Sequence, residues 1–105
     1  MPELKQNPSL ADFQKYVIEL EDERGFSQQN VLDKCLLLGE EMGELFKAVR
    51  KNQKLSIDIN SNFTSVSEEL ADILIYLCAI ANRLDIDLER AFRQKEEINS
   101  KRKWV

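Results

Sequence analysis

Ser65-Val66-Ser67-Glu68-Glu69-Leu70-Ala71-Asp72-Ile73-Leu74-Ile75-Tyr76-Leu77-Cys78-Ala79-Ile80-Ala81 is the stretch that decides the fold class. Ser65 followed three residues later by Glu68 is a capping-box pattern, in which two side chains each satisfy a backbone N–H at a helix start. Behind it, Leu70, Ile73, Leu74, Leu77, Ile80 and Ala81 recur at helical spacing. The stretch reads as the most apolar helix of the chain and its central one. Two acids, Glu69 and Asp72, nevertheless sit inside it.

Working outward, the neighbouring segments are helical too. Upstream, Ser9 and Asp12 mark a start, Leu10, Phe13, Tyr16, Val17 and Leu20 keep the period to about Arg24, and Gly25 supplies a stop. A long second helix is carried by Val31, Leu32, Cys35, Leu36, Leu38, Met42, Leu45, Phe46 and Val49, ending near Asn52. Gln53 to Thr64 has no sustained period and reads as a loop. Downstream, Asp85-Ile86-Asp87 gives a turn and an N-cap for a fourth helix from Leu88 to about Lys101. The expected architecture is all-α, a four-helix bundle, with residues 1–105 as a single domain.

Composition narrows the function classes. The chain has 105 residues, 43% hydrophobic and 32% charged, with three Gly and two Pro, which fits a helical globular protein. A net charge of −4 argues against a broad grip on nucleic-acid backbone, which needs clustered Lys and Arg. No apolar run is long enough to span a bilayer, and Met1 to Gln6 lacks signal-peptide character, so a cytoplasmic protein is expected. Cys35 and Cys78 lie in apolar helical runs without metal-type spacing and are expected to be reduced core thiols.

The acids carry the chemistry. Residues three apart share a helix face, so Glu41 pairs with Glu44 and Glu69 with Asp72. Were the two helices antiparallel, four carboxylates would converge, and their repulsion calls for a cation. All-oxygen ligands select a hard ion, Mg²⁺ or Mn²⁺. The absence of His argues against a di-iron bundle built on Glu-x-x-His. Acids at this spacing also line ordinary solvated helix faces, and Lys47, Arg50 and Lys51 offer surface partners, so both readings stand at this point. Gly39 and Gly43 inside the same helix cost up to about 1 kcal/mol each relative to Ala, an expense that close approach of a helix or ligand would offset.

The order Glu40-Glu41-Met42-Gly43-Glu44, then Glu69-Leu70-Ala71-Asp72, resembles the EExxE and ExxD signature of MazG-like nucleotide pyrophosphohydrolases. Ala71 to Leu77, Ile86-Asp87-Leu88 and Lys95-Glu96-Glu97-Ile98-Asn99 with Arg102 are similar to the downstream stretch of small dCTP-pyrophosphatase-like members, and the resemblance runs from Phe26 to Trp104. It implies a MazG-like bundle completed by oligomerisation, as a homodimer or homotetramer, and hydrolysis of a nucleoside triphosphate to the monophosphate and pyrophosphate. By the same resemblance Glu41, Glu44, Glu69 and Asp72 are metal ligands for Mg²⁺, and Glu40 is a further ligand or the residue that orients and deprotonates water. Tyr76, Lys95, Asn99 and Arg102, with Lys101 less firmly, then reach the phosphates and sugar, and Phe26 stacks on the base. Plain structural roles remain open for each: a half-buried core tyrosine, a solvent-facing fourth helix, a basic tail, an N-terminal staple.

Two alternatives stand beside this reading. One is a dUTPase-like or phosphoribosyl-ATP-pyrophosphatase-like enzyme of the same superfamily, different in substrate and not in metal chemistry. The other is a non-catalytic helical module whose acidic patch docks a basic partner.

Overall fold

The computed structural model describes residues 1–55, 58–60 and 64–104. Four helices form in the order α1 (Leu10–Arg24), α2 (Val31–Asn52), α3 (Val66–Arg83) and α4 (Leu88–Ser100), with no strand among the described residues. The all-α, four-helix expectation holds. Part of the expected Gln53–Thr64 loop, residues 56–57 and 61–63, lies outside the described residues.

Local chemistry sets the boundaries. Ser9 with Asp12, Asn30 with Asp33, and Ser65 with Glu68 each form a complete capping box, and Asp87 accepts the Arg90 N–H at 3.0 Å. Gly25 ends α1 at φ 77, a left-handed conformation open to glycine without steric penalty. Asp85, at φ 54, makes the corresponding bend after α3.

α3 is the central helix, packed against both α2 and α1, while α4 packs on α1. The α2–α3 pair runs antiparallel: Gln29, just before α2, meets Arg83 at the end of α3, and Lys34 meets Tyr76. The core is small, made of Val17, Leu20, Cys78 and Ala79, with Phe13, Tyr16, Leu74, Ile75 and Leu88 packed around it. Gln14 fastens α1 to the α3–α4 turn. Its amide donates to Asn82 Oδ1 at 3.1 Å and to the Ile86 carbonyl at 2.8 Å, and its oxygen accepts the Leu88 N–H at 2.9 Å.

Much of the apolar face of α2 is left uncovered in the protomer: Leu32 is 73% exposed, Leu36 74% and Phe46 60%. Cys35 lies on this face and is exposed, so only Cys78 is the core thiol expected of both cysteines. Periodicity identifies residues that share a face, whereas which face is covered depends on what packs there. Among the described residues nothing lies within 4 Å of a Cβ built at Gly39 or Gly43, so no described neighbour offsets the helix penalty of these glycines. None of the helices is long and apolar enough to cross a membrane.

Candidate metal centre

Where the middle of α2 meets the first two turns of α3, Glu41, Glu69 and Asp72 each offer a carboxylate oxygen, all within 4.8 Å of one another. The i, i+3 spacing puts Glu69 and Asp72 on one face of α3, and the antiparallel register brings Glu41 opposite. Glu69 is only 3% exposed. Its Oε1 accepts the Thr64 hydroxyl, while its Oε2 is buried and, when Glu41 is ionised, has no hydrogen-bond donor among the described residues.

The electrostatics follow from this crowding. The Glu41 carboxyl is pushed up to about 7, first by the hydrogen bond it shares with Glu69, then by burial and by the charges of Glu69, Asp72 and Glu44. The Thr64 and Glu41 hydrogen bonds hold Glu69 below the usual carboxylate range. Burial raises Asp72, with help from Glu69 and Glu68. Burial also raises the Tyr76 phenol, and the negative field of Glu41, Asp72, Glu40 and Glu21 adds to it. Three clustered carboxylates, one with an orphaned buried oxygen, fit a hard divalent cation, which would neutralise the repulsion and give that oxygen a partner.

The remaining sequence-derived candidates divide. Glu44 pairs with Lys47 at 3.5 Å and lies outside the three-oxygen group, acting on Glu41 through its charge. Glu40 is exposed, one residue before Glu41. Phe26 and Tyr76 are brought together with Asp72 around a pocket of about 90 Å³. Lys95, Asn99 and Arg102 are carried by α4 and the residues just after it. Within one protomer they line neither that pocket nor the carboxylate group, because α4 leans on α1; Asn99 instead donates to Glu96 at 3.3 Å.

Sequence reasoning missed a buried ion cluster on the floor of this pocket. Glu21 of α1 accepts from Arg83 at 2.8 and 2.7 Å and from Lys34 at 3.1 Å. Burial alone would raise Glu21, but the hydrogen bonds from Arg83 and Lys34 outweigh it and hold the carboxyl low. Glu21 continues the Val17–Leu20 face, and Lys34 follows Asp33 directly before the apolar run Cys35-Leu36-Leu37-Leu38, which are the signals that mark them. Thr64 was also missed, since nothing local ties a loop hydroxyl to Glu69.

Comparison with known proteins bears on the family and the fold. No curated protein matches the chain. Two crystal structures of iMazG from Vibrio DAT 722 are similar to it. The Ctag form shares 31% identity at a TM-score of 0.65, covering 88% of this chain and 98% of its own. The Ntag form shares 29% at 0.63, covering 87% and 93%. The family model for the MazG nucleotide pyrophosphohydrolase domain matches residues 28–104, a span that holds the whole acidic cluster and both helices that build it, so the chain belongs to the MazG nucleotide pyrophosphohydrolase family.

Proposed function

We propose that this protein is a Mg²⁺-dependent nucleoside triphosphate pyrophosphohydrolase that converts a (deoxy)nucleoside triphosphate to the monophosphate and pyrophosphate, as a nucleotide-pool house-cleaning enzyme. The observation that carries the reading is the convergence of Glu41, Glu69 and Asp72 from two helices around the orphaned Glu69 Oε2. Mg²⁺, with Mn²⁺ as a substitute, supplies charge neutralisation and a lowered water pKa when bound.

This chain's own residues do the rest. Glu41, Glu69 and Asp72 would hold the ion, and Glu44, turned away from Lys47, would add a fourth carboxylate. Glu40 orients the attacking water and accepts its proton. Thr64 fixes the Glu69 carboxylate, and Phe26 and Tyr76 take the base and sugar end of the substrate. No Ser, Cys or His nucleophile is required, because positioning and electrostatic stabilisation carry most of the rate in phosphoryl transfer.

The proposed active form is a homodimer or homotetramer. Positions 32, 35, 39, 42, 46 and 49 of α2 follow the alternating three-and-four spacing of a helix–helix seam, and the side chains on it are exposed in the protomer. Gly39, at the middle of that seam, has open space where its Cβ would lie, which suits close approach of a second copy. Lys95, Asn99 and Arg102 then serve the triphosphate from the assembled molecule.

The test is a Mg²⁺-dependent pyrophosphate-release screen over canonical and modified nucleoside triphosphates. Stoichiometric monophosphate and pyrophosphate, abolished by EDTA and by Asp72→Asn, is the expected result. Absence of release from every nucleotide, or release that survives Asp72→Asn, overturns the proposal.

A further inference from the structure

Where α1, α2 and α3 meet beside the carboxylates, one buried cation has more donors than acceptors. Arg83 is fully engaged: besides both Glu21 oxygens, its Nη1 donates to the Ala79 carbonyl at 3.0 Å, its Nε to the Gln29 carbonyl at 2.7 Å and its Nη2 to the Phe26 carbonyl at 3.1 Å. Lys34 is not. An ammonium carries three N–H donors, and among the described residues its one oxygen partner is Glu21 Oε2 at 3.1 Å. Otherwise the Lys34 Nζ faces two rings, 5.1 Å from the Phe26 centroid and 5.5 Å from the Tyr76 centroid. With Lys34 only 3% exposed, the further acceptors its ammonium can reach lie in the pocket that opens on it. A ligand atom that accepts from it there gains a charge-assisted hydrogen bond in a largely buried setting.

The pocket that opens on Lys34 is shaped for one end of a ligand. Its volume, about 90 Å³, is small beside the roughly 300–1,000 Å³ of sites that enclose whole drug-sized molecules. Phe26 and Tyr76 give it aromatic walls for a flat ring, and Asp72 places its rim at the candidate metal centre. A triphosphate anchored at the carboxylates therefore directs its base towards Lys34.

We infer that Lys34 is the specificity-determining residue for the base. Its ammonium donates to the acceptor edge of a single-ring pyrimidine, a carbonyl oxygen or ring nitrogen. Glu21 holds the ammonium, and Arg83 acts as a positioning residue through the carbonyls of the segment that carries Phe26. The inference rests on the reading of the carboxylate cluster as a nucleoside triphosphate site.

Lys34→Met is the informative variant, since it keeps an unbranched apolar stem against the two rings and leaves Glu21 paired with Arg83. Calorimetry in Mg²⁺ compares wild type and variant on three ligands: an α,β-imido pyrimidine nucleoside triphosphate, its purine counterpart, and inorganic tripolyphosphate. The expected result is a loss of about 10- to 100-fold in affinity for the pyrimidine analogue, the worth of one charge-assisted hydrogen bond, with tripolyphosphate unchanged. Turnover of the natural pyrimidine nucleotide follows through KM more than kcat, and Lys34→Arg restores part of the preference. Equal losses on all three ligands, or an unchanged pyrimidine preference, overturn the inference. Wild type that cleaves triphosphates without regard to base sinks this inference and leaves the hydrolase reading standing. Lys34-dependent pyrimidine binding without pyrophosphate release does the reverse, and failure to bind any of the analogues overturns both.

Discussion

Glu41 and Glu69 face each other from α2 and α3 with carboxyl oxygens within 4.8 Å, and this crowding has opposite consequences, the first carboxyl being pushed up to about 7 and the second held below its ordinary range. Between 4.5, the ordinary glutamate value, and about 7, the folded metal-free protein holds a proton on Glu41 that the unfolded chain has lost. Stability therefore falls as pH rises through that window, and Glu41 adds no slope above it. Glu69 acts at the acid end with the opposite sign: its contribution is present above 4.5 and is lost as pH falls below. Thermal melts in EDTA should show the decline between 4.5 and about 7, and saturating Mg²⁺ should remove it by replacing the proton. A flat metal-free profile across that range would contradict this crowding of carboxyls.

Thr64→Val retains the shape of the side chain and removes the hydroxyl that fixes Glu69. Partners that orient metal-binding side chains are worth about 10- to 100-fold in metal affinity. A Mn²⁺ titration followed by electron paramagnetic resonance should show a loss in that range. Unaltered affinity would mean that Glu69 needs no help to face the ion.

Glu21→Gln removes the carboxylate that bridges Lys34 and Arg83, leaving a buried and a part-buried cation short of a counter-charge. Breaking a buried pair in this way costs about 3–5 kcal/mol, which urea unfolding can read directly. Lys34→Met, which leaves the Glu21–Arg83 pair whole, should cost clearly less. Equal losses for the two variants would show that packing, rather than charge, sets the stability of this corner.

The exposed seam of α2 makes a prediction about assembly. Phe46→Glu should shift sedimentation from an oligomer to the protomer, because it places a charge in an apolar contact. Gly39→Ala separates the two possible environments of that seam. Facing water it should gain up to about 1 kcal/mol of helix stability, whereas against a closely packed second copy it should lose assembly. A wild-type protein that sediments as a lone protomer at micromolar concentration would refute the oligomer.

Local patterns were readable in the sequence and long-range pairings were not. The boxes at Ser9 and Ser65, the Gly25 stop and the acidic i, i+3 pairs announce themselves, because each depends on residues a turn apart. The equivalent box at Asn30 follows the same rule, although the chemistry of its Asn was passed over. Glu21 with Arg83, and Gln14 with Asn82, join residues more than 60 positions apart, and no spacing rule links them. The candidate site was legible to the extent that it lies on regular faces of α2 and α3. Glu44 shares its face with Glu41 yet is drawn off by Lys47, a competition that spacing alone does not resolve.

The amide of Gln14 has a mechanical consequence. It grips the first residue of α4 and the carbonyl two residues earlier, at the base of a helix of 13 residues, a rod of about 20 Å at the usual rise per residue. A slight tilt at that base is amplified along the rod, so a single side chain on α1 aims the distant basic end that bears Arg102.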